Sequence, residues 1–275
     1  MRYGLDVANL GEAADPRRVV ELAQAAEQAG WDGLFMWDHL GFAWEMPSGD
    51  PWVILAAVAQ ATVRLRLGTA ITPLPRRRPQ VVANTLATLD LLSNGRVTFG
   101  AGLGGVPVEF AAFGEVTDAK TRAAMLDEGL EIVARLLAGE RVNYQGAYYS
   151  VNNVMLAPRG LQQPRIPIWI GAESGPALRR AARWDGWVIY TVDTQGAVVN
   201  TAGSVAQKLA TIRQYRRDAG VNTAPYDVVV TGITAPGDGV EEYAAAGATW
   251  WLESLHGMRF SYAELLARVE AGPPR

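Results

Sequence analysis

Cysteine is absent from the 275 residues, and histidine occurs only twice. The first absence excludes disulfides, thiolate metal ligands and a cysteine nucleophile, and it accords with a reducing compartment. The second leaves no cluster of His and carboxylate with metal-ligand spacing, so no metal is expected. No apolar run is long enough to cross a bilayer as a helix, and residues 1–6 lack the apolar core of a signal peptide. The expected location is therefore cytoplasmic. There is no excess of charge either: 25 Lys+Arg stand against 28 Asp+Glu, a formal net charge of −3. Without a basic face to neutralise phosphates, no nucleic-acid partner is expected, and no membrane either. A Gly-x-Ser-x-Gly elbow and a Gly-x4-Gly-Lys loop are also missing.

What is present is an alternation. Short β-rich apolar runs fall at residues 3–8, 33–37, 65–71, 97–101, 168–171, 187–192, 228–233 and 249–252. They alternate little between polar and apolar, as strands covered on both faces do. Helical periods fill the gaps near 16–29, 51–61, 79–92, 121–138, 176–184, 204–219, 240–246 and 262–270. Asp15-Pro16 and Asp50-Pro51 are N-cap and first-turn pairs, while Gly30 and Asn94-Gly95 are stops. Eight βα units predict one α/β domain over residues 1–275, a (β/α)8 TIM barrel. Residues 141–167 do not fit the repeat. Tyr144-Gln145-Gly146-Ala147-Tyr148 has the look of a hairpin turn, and Pro158, Pro164 and Pro167 follow. This stretch is expected to be an insertion between the fourth helix and the fifth strand.

Barrels of this kind bind ligands at the C-terminal ends of their strands. Those ends hold Asn9, Asp38-His39, Thr69 to Thr72, Gly102 to Gly105, Ala172 to Gly175, Thr191 to Asp193, Thr234 and Glu253. The set is rich in small residues and poor in acids and bases, which suits a cofactor that brings its own reactivity. The run Gly100, Gly102, Gly104 and Gly105 offers close backbone approach to such a group. Ala172-Glu173-Ser174-Gly175-Pro176 opens a helix whose free amides make a natural phosphate seat, with Glu173 an awkward neighbour unless it turns away. Arg76-Arg77-Arg78 is the sharpest charge cluster, either a solvated helix entry or a contact for an anionic cofactor tail or substrate.

Taken in order along the chain, several segments resemble the bacterial-luciferase-like flavin oxidoreductases. They are Trp37-Asp38-His39, the run from Leu67 to Pro73, the run from Gly95 to Gly104, the run from Pro167 to Gly171, and Trp184-Asp185-Gly186-Trp187. The resemblance implies a flavin-type oxidoreductase or monooxygenase with FMN or coenzyme F420 at the strand ends and a small organic molecule as substrate. It implies that His39 lies beside the redox ring, as a hydrogen-bonding or proton-donating group, with Asp38 orienting it. It implies that Thr69, Ala70, Ile71 and Thr72 support the ring, often through a bulge or a non-prolyl cis peptide. Gly104 and Gly105 would approach the cofactor, and Ser174 and Gly175 would bind its phosphate beside Glu173. In the deazaflavin-dependent sugar-phosphate dehydrogenases of the family a catalytic Glu follows the glycine run; here Gly105 stands in its place and Glu109 lies beyond, which argues against the same substrate chemistry. A homodimer is left open. Two other readings stand beside this one, a barrel that binds flavin without catalysis and a phosphate-binding barrel isomerase or aldolase. The second is weakened by the lack of a strand-end Lys.

Overall fold

The computed structural model describes residues 1–193, 197–235, 238–256 and 260–274. Eight parallel strands close into a barrel: β1 (Arg2–Val7), β2 (Gly33–Met36), β3 (Arg66–Thr69), β4 (Val97–Gly102), β5 (Ile168–Gly171), β6 (Gly186–Tyr190), β7 (Asp227–Gly232) and β8 (Trp250–Leu255). Each pairs with its neighbours in the chain, and β1 completes the ring by pairing with β8 from Arg2↔Trp250 to Val7↔Leu255. The helices between them are α1 (Pro16–Gln28), α2 (Pro51–Ala61), α3 (Pro79–Leu92), α4 (Ala119–Leu137), α5 (Gly175–Ala181), α6 (Ala202–Asp218), α7 (Glu241–Ala245) and α8 (Tyr262–Glu270). The (β/α)8 expectation holds. No helix of the described residues is long and apolar enough to cross a membrane.

Local chemistry explains the starts. The Asp15 carboxylate accepts from the Arg17 amide with Pro16 behind it, and Asp50 accepts from Trp52 and Val53 with Pro51 behind it. In α8 the Ser261 and Glu264 side chains cap each other's backbone, a reciprocal box. Side chains of the strands then sort into two layers. Leu5, Val7, Leu34 and Ile168 pack outward against the helices. Phe35, Trp169, Val188, Val229, Trp250 and Leu252 fill the barrel interior. Asp6 shares a register row with Phe35 and Ser254.

Two features depart from the regular repeat. Pairing along the third strand stops at Thr69, where the run was expected to reach residue 71, and resumes at Thr72↔Ala101 and Pro73↔Gly102. The Ala70–Ile71 peptide between them is cis. The insertion after α4 holds an antiparallel hairpin, Val142–Gln145 with Ser150–Val154. Glu128 on α4 fixes its turn by accepting from the amides of Ala147, Tyr148 and Tyr149.

Candidate functional site

At the C-terminal ends of the strands lies a cavity of ≈ 650 Å³. Its wall takes Trp37, His39 and Trp44 from the segment after β2, and Ala70, Ile71 and Pro73 from the break in the third strand. Gly104, Gly105 and Val106 follow from β4, Glu173 from β5, Tyr190 and Val192 from β6, and Ser254 and His256 from β8. The predicted residues His39, Ala70, Ile71, Gly104, Gly105 and Glu173 thus meet at one surface.

His39 is held from three sides. Its amide donates to Asn9 Oδ1 (3.1 Å) and its carbonyl accepts from Asn9 Nδ2 (2.9 Å). Its ring Nδ1 lies 3.1 and 3.2 Å from the two oxygens of Glu109, a carboxylate with no exposed surface. Glu109 also accepts from the Leu40 amide (2.5 Å) and from Arg76 (2.8 Å). Burial alone would raise its carboxyl. The His39 ring, the Leu40 amide and the Arg76 guanidinium outweigh that and hold it below the ordinary value. An ionised Glu109 is acceptor-only, so Nδ1 carries the hydrogen and Nε2 is the nitrogen left to the cavity. Trp44 and Trp37 meet the imidazole edge-on, at 4.9 and 5.6 Å between centroids.

Asp38 does something other than expected. Its buried carboxylate takes Arg77 in a two-bond fork (2.8 and 2.7 Å) and Arg76 at 3.3 Å, while Arg76 also reaches the Asp38 carbonyl. The residue that orients His39 is Glu109, and Asp38 instead anchors the two arginines. Arg76 and Arg77 are accordingly absorbed into a buried ladder, Glu109–Arg76–Asp38–Arg77, with Arg77 also 3.3 Å from Asp50. Neither is a free contact for an anion.

The glycine run also divides. A Cβ at Gly102 would stand 2.0 Å from Ile71 Cδ1, and one at Gly171 2.5 Å from the same atom. A Cβ at Gly100 would stand 1.9 Å from the Thr69 carbonyl. These glycines make room for the third-strand break rather than for a ligand. Gly104 (φ +83°) and Gly105 alone of the run reach the cavity, and space beside Gly105 is open. Thr69 and Thr72 lie behind the wall, tied to the Gly100 carbonyl and to each other. The Tyr190 hydroxyl donates to the Ala70 carbonyl (2.5 Å) and steadies the break from the other side.

Beyond Glu173, Ser174 is the N-cap residue of α5 and Gly175 its first residue; both are exposed, and neither is among the residues that line the cavity. Glu173 is turned to Lys208 Nζ (2.5 Å) and Asn200 (3.2 Å), so a cation offsets its charge. Beneath the cavity, the Asp6 carboxyl accepts from Trp37 Nε1 (2.8 Å), and the Ser254 hydroxyl is 3.5 Å away. Burial pushes Asp6 up to about 8 against the smaller effect of those bonds. Sequence reasoning gave no place in the site to Glu109, Asp6 or His256, nor to the cavity residues Tyr190, Asn200, Lys208 and Ser254. His256 was counted in the sequence but not placed; its ring stacks on Trp37 at 5.7 Å, on the same wall as His39.

The wall suits a flat ring system, with aromatic flanks and two close backbone approaches. Known proteins agree in outline. The family described as luciferase-like monooxygenase matches residues 3–272. An F420-dependent glucose-6-phosphate dehydrogenase of Microbacterium testaceum is 37% identical over 188 residues, 66% of this chain and 54% of that protein. The chain thus spans about half the length of that relative. A monooxygenase from Streptomyces bottropensis superposes with a TM-score of 0.73 at 26% identity, over 100% of this chain and 80% of that one. A coenzyme F420 dependent tetrahydromethanopterin reductase of Methanopyrus kandleri shares the fold, with a TM-score of 0.78 at 17% identity over 98% and 96% of the two chains.

Proposed function

This chain belongs to the luciferase-like monooxygenase family, and from that premise we propose that it is a flavin- or deazaflavin-dependent oxidoreductase acting on a small organic substrate. One observation carries the reading: a buried carboxylate holds Nδ1 of His39, whose ring lines a cavity flanked by tryptophans and by Gly104 and Gly105. The dehydrogenase relative supports coenzyme F420, and the wider family resemblance keeps FMN beside it. When bound, such a cofactor supplies hydride transfer, or oxygen chemistry from a reduced flavin, at its central ring.

The protein's own part is positioning and proton handling. Ala70 and Ile71 form the platform for the ring, with Thr69, Thr72 and Tyr190 supporting it from behind. Gly104 and Gly105 let backbone come close. Ser174 and Gly175 are exposed at the start of α5, where first-turn amides and the helix dipole favour a phosphate. Lys208 removes the like-charge objection that Glu173 would otherwise raise. His39 Nε2 accepts or returns a proton, and Glu109 stabilises the imidazolium while it is charged. Trp37 and Trp44 close the flanks and keep water from the ring.

The barrel isomerase or aldolase reading is not favoured. Among the described residues the cavity's lysine is Lys208, on α6 and ion-paired rather than at a strand end. Purifying the protein and recording the absorption spectrum of whatever it retains, or takes up from added FMN and F420, tests the proposal. An isoalloxazine or a deazaflavin spectrum is expected. Uptake of neither overturns it.

A further inference from the structure

One acid of the barrel interior is left without a task by the reading above. Asp6, on β1, has no exposed surface. Its Oδ2 accepts from Trp37 Nε1 at 2.8 Å and lies 3.5 Å from the Ser254 hydroxyl. Among the described residues its Oδ1 has no hydrogen-bond partner, and no cation is paired with the carboxyl. Its register neighbours are Phe35 on β2 and Ser254 on β8, neither of them charged. From β6, Tyr190 feels its charge. Burial and then Asp6 hold that phenol well above its ordinary value, so it stays neutral.

A carboxyl taken wholly out of water without a cation keeps its proton, because an unpaired buried charge costs far more than protonation. Burial accordingly pushes Asp6 up to about 8, against the smaller effects of Trp37 and Ser254. Those two side chains are themselves part of the cavity wall. Asp6 is therefore one side chain removed from whatever the cavity binds, by two routes. Trp37 also meets the His39 ring edge-on and stacks on His256. The carboxyl that holds its indole thus fixes the flank that both histidines share.

Resting on the functional reading above, we propose that Asp6 is a positioning residue for the cofactor ring: its neutral carboxyl fixes Trp37 and Ser254 in the arrangement the ring binds against, and it keeps its proton while the ring is bound. The coupling has a physical cause. A ligand over Trp37 and Ser254 excludes water from them, which deepens the desolvation of Asp6 and disfavours its charged form further. Binding then draws a proton onto those chains in which Asp6 is ionised. Affinity is complete below the carboxyl's value in the ligand-free protein and falls as the pH rises through it.

The test is a fluorescence titration of the full-length chain with FMN and with coenzyme F420 across neutral and alkaline pH. Calorimetry in two buffers of different protonation enthalpy counts the protons taken up. If binding raises the carboxyl's proton affinity about tenfold, the parent loses about fivefold in ring affinity between about pH 7 and about pH 9, with net proton uptake in that range. Asp6→Ala, which offers Trp37 no acceptor, should bind about fivefold more weakly at neutral pH. Asp6→Asn restores an acceptor that cannot ionise, so it should recover the neutral-pH affinity and lack both the decline and the uptake. His39, His256, Glu173 and Lys208 line the same cavity, and they and the cofactor titrate in parent and Asp6→Asn alike. The difference between the two profiles therefore isolates Asp6. Superimposable profiles, proton uptake that survives in Asp6→Asn, or full affinity in Asp6→Ala would each overturn the proposal while leaving the cofactor reading intact. Should Asp6→Ala fail to fold, the paired profiles of parent and Asp6→Asn decide alone. Binding of neither chromophore by the parent removes the premise, and this proposal with it.

Discussion

Replacing Glu109 by Gln is the sharpest perturbation of the site. The side chain keeps its size, but the carboxylate that accepts from Leu40, His39 and Arg76 becomes an amide. If the amide oxygen stays on the Leu40 amide, the NH2 group must face Arg76 Nη1 across 2.8 Å, donor against donor. The Arg76 guanidinium, buried and shared with Asp38, then loses half its counter-charge. Breaking a buried pair costs about 3–5 kcal/mol, and the preserved shape argues for the lower end, about 3 kcal/mol. In a chain of this size that corresponds to a fall of roughly 6–10 °C in Tm. The pH dependence has a definite sign. Glu109's carboxyl is held below its ordinary value of 4.5, so its contribution is complete above that pH and is lost as the pH falls through the lowered value. Urea denaturation of parent and E109Q, at neutral pH and in acid, should show a gap that closes on acidification. A gap under about 1 kcal/mol at neutral pH, or one that is constant with pH, refutes an ionised, paired Glu109.

Three further predictions concern neighbouring groups. His39→Ala should leave the fold intact and slow turnover about 100- to 10,000-fold; recovery in His39→Asn indicates a hydrogen-bonding role, continued loss a proton-transfer one, and parent-like kinetics in both remove His39 from the site. Ser174→Asp should weaken cofactor binding at least about tenfold, since it adds like charge at the proposed phosphate seat; unchanged affinity moves the phosphate elsewhere. Asp6, raised from 3.8 to about 8, holds its proton in the folded state over a range where the unfolded chain has lost it. Parent stability should therefore fall as pH rises between those values, and Asp6→Asn, which still offers Trp37 an acceptor, should lack that decline in denaturation midpoints.

The frame of this protein was largely legible because it is written in local signals. Helices α3 and α8 fall on the residues that periodicity assigns, 79–92 and 262–270. The third strand was less legible. Nothing local to residues 65–71 announces that Gly100, Gly102 and Gly171, on two other strands, vacate the space into which the chain departs from the ladder. The candidate cavity was legible where its lining sits on a strand end, as with His39, Ala70 and Gly105. It was not where partners arrive from afar. Glu109 reaches His39 from 70 positions away and Arg76 from 33, so no spacing rule connects them. One local signal existed: a lone carboxylate within the apolar stretch Val106-Pro107-Val108-Glu109-Phe110 must be buried with a partner or not buried at all. Neither reading open for the arginine triplet anticipated that Asp38, from a different strand end, pairs Arg76 and Arg77.

The central claim is that the cavity beside His39 binds the redox ring, and Gly105 gives the most direct access to it. A Cβ there meets nothing within 4 Å and its φ is not positive, so a large side chain enters the cavity without disturbing the backbone. The decisive measurement is an equilibrium titration of the parent and Gly105→Phe with FMN and with coenzyme F420, followed by the fluorescence of the chromophore. The account predicts that one chromophore saturates the parent at one per chain, and that Gly105→Phe, folded to the same extent by circular dichroism, binds it at least about tenfold more weakly. Equal affinity in the two proteins, or no binding of either chromophore by the parent, contradicts it.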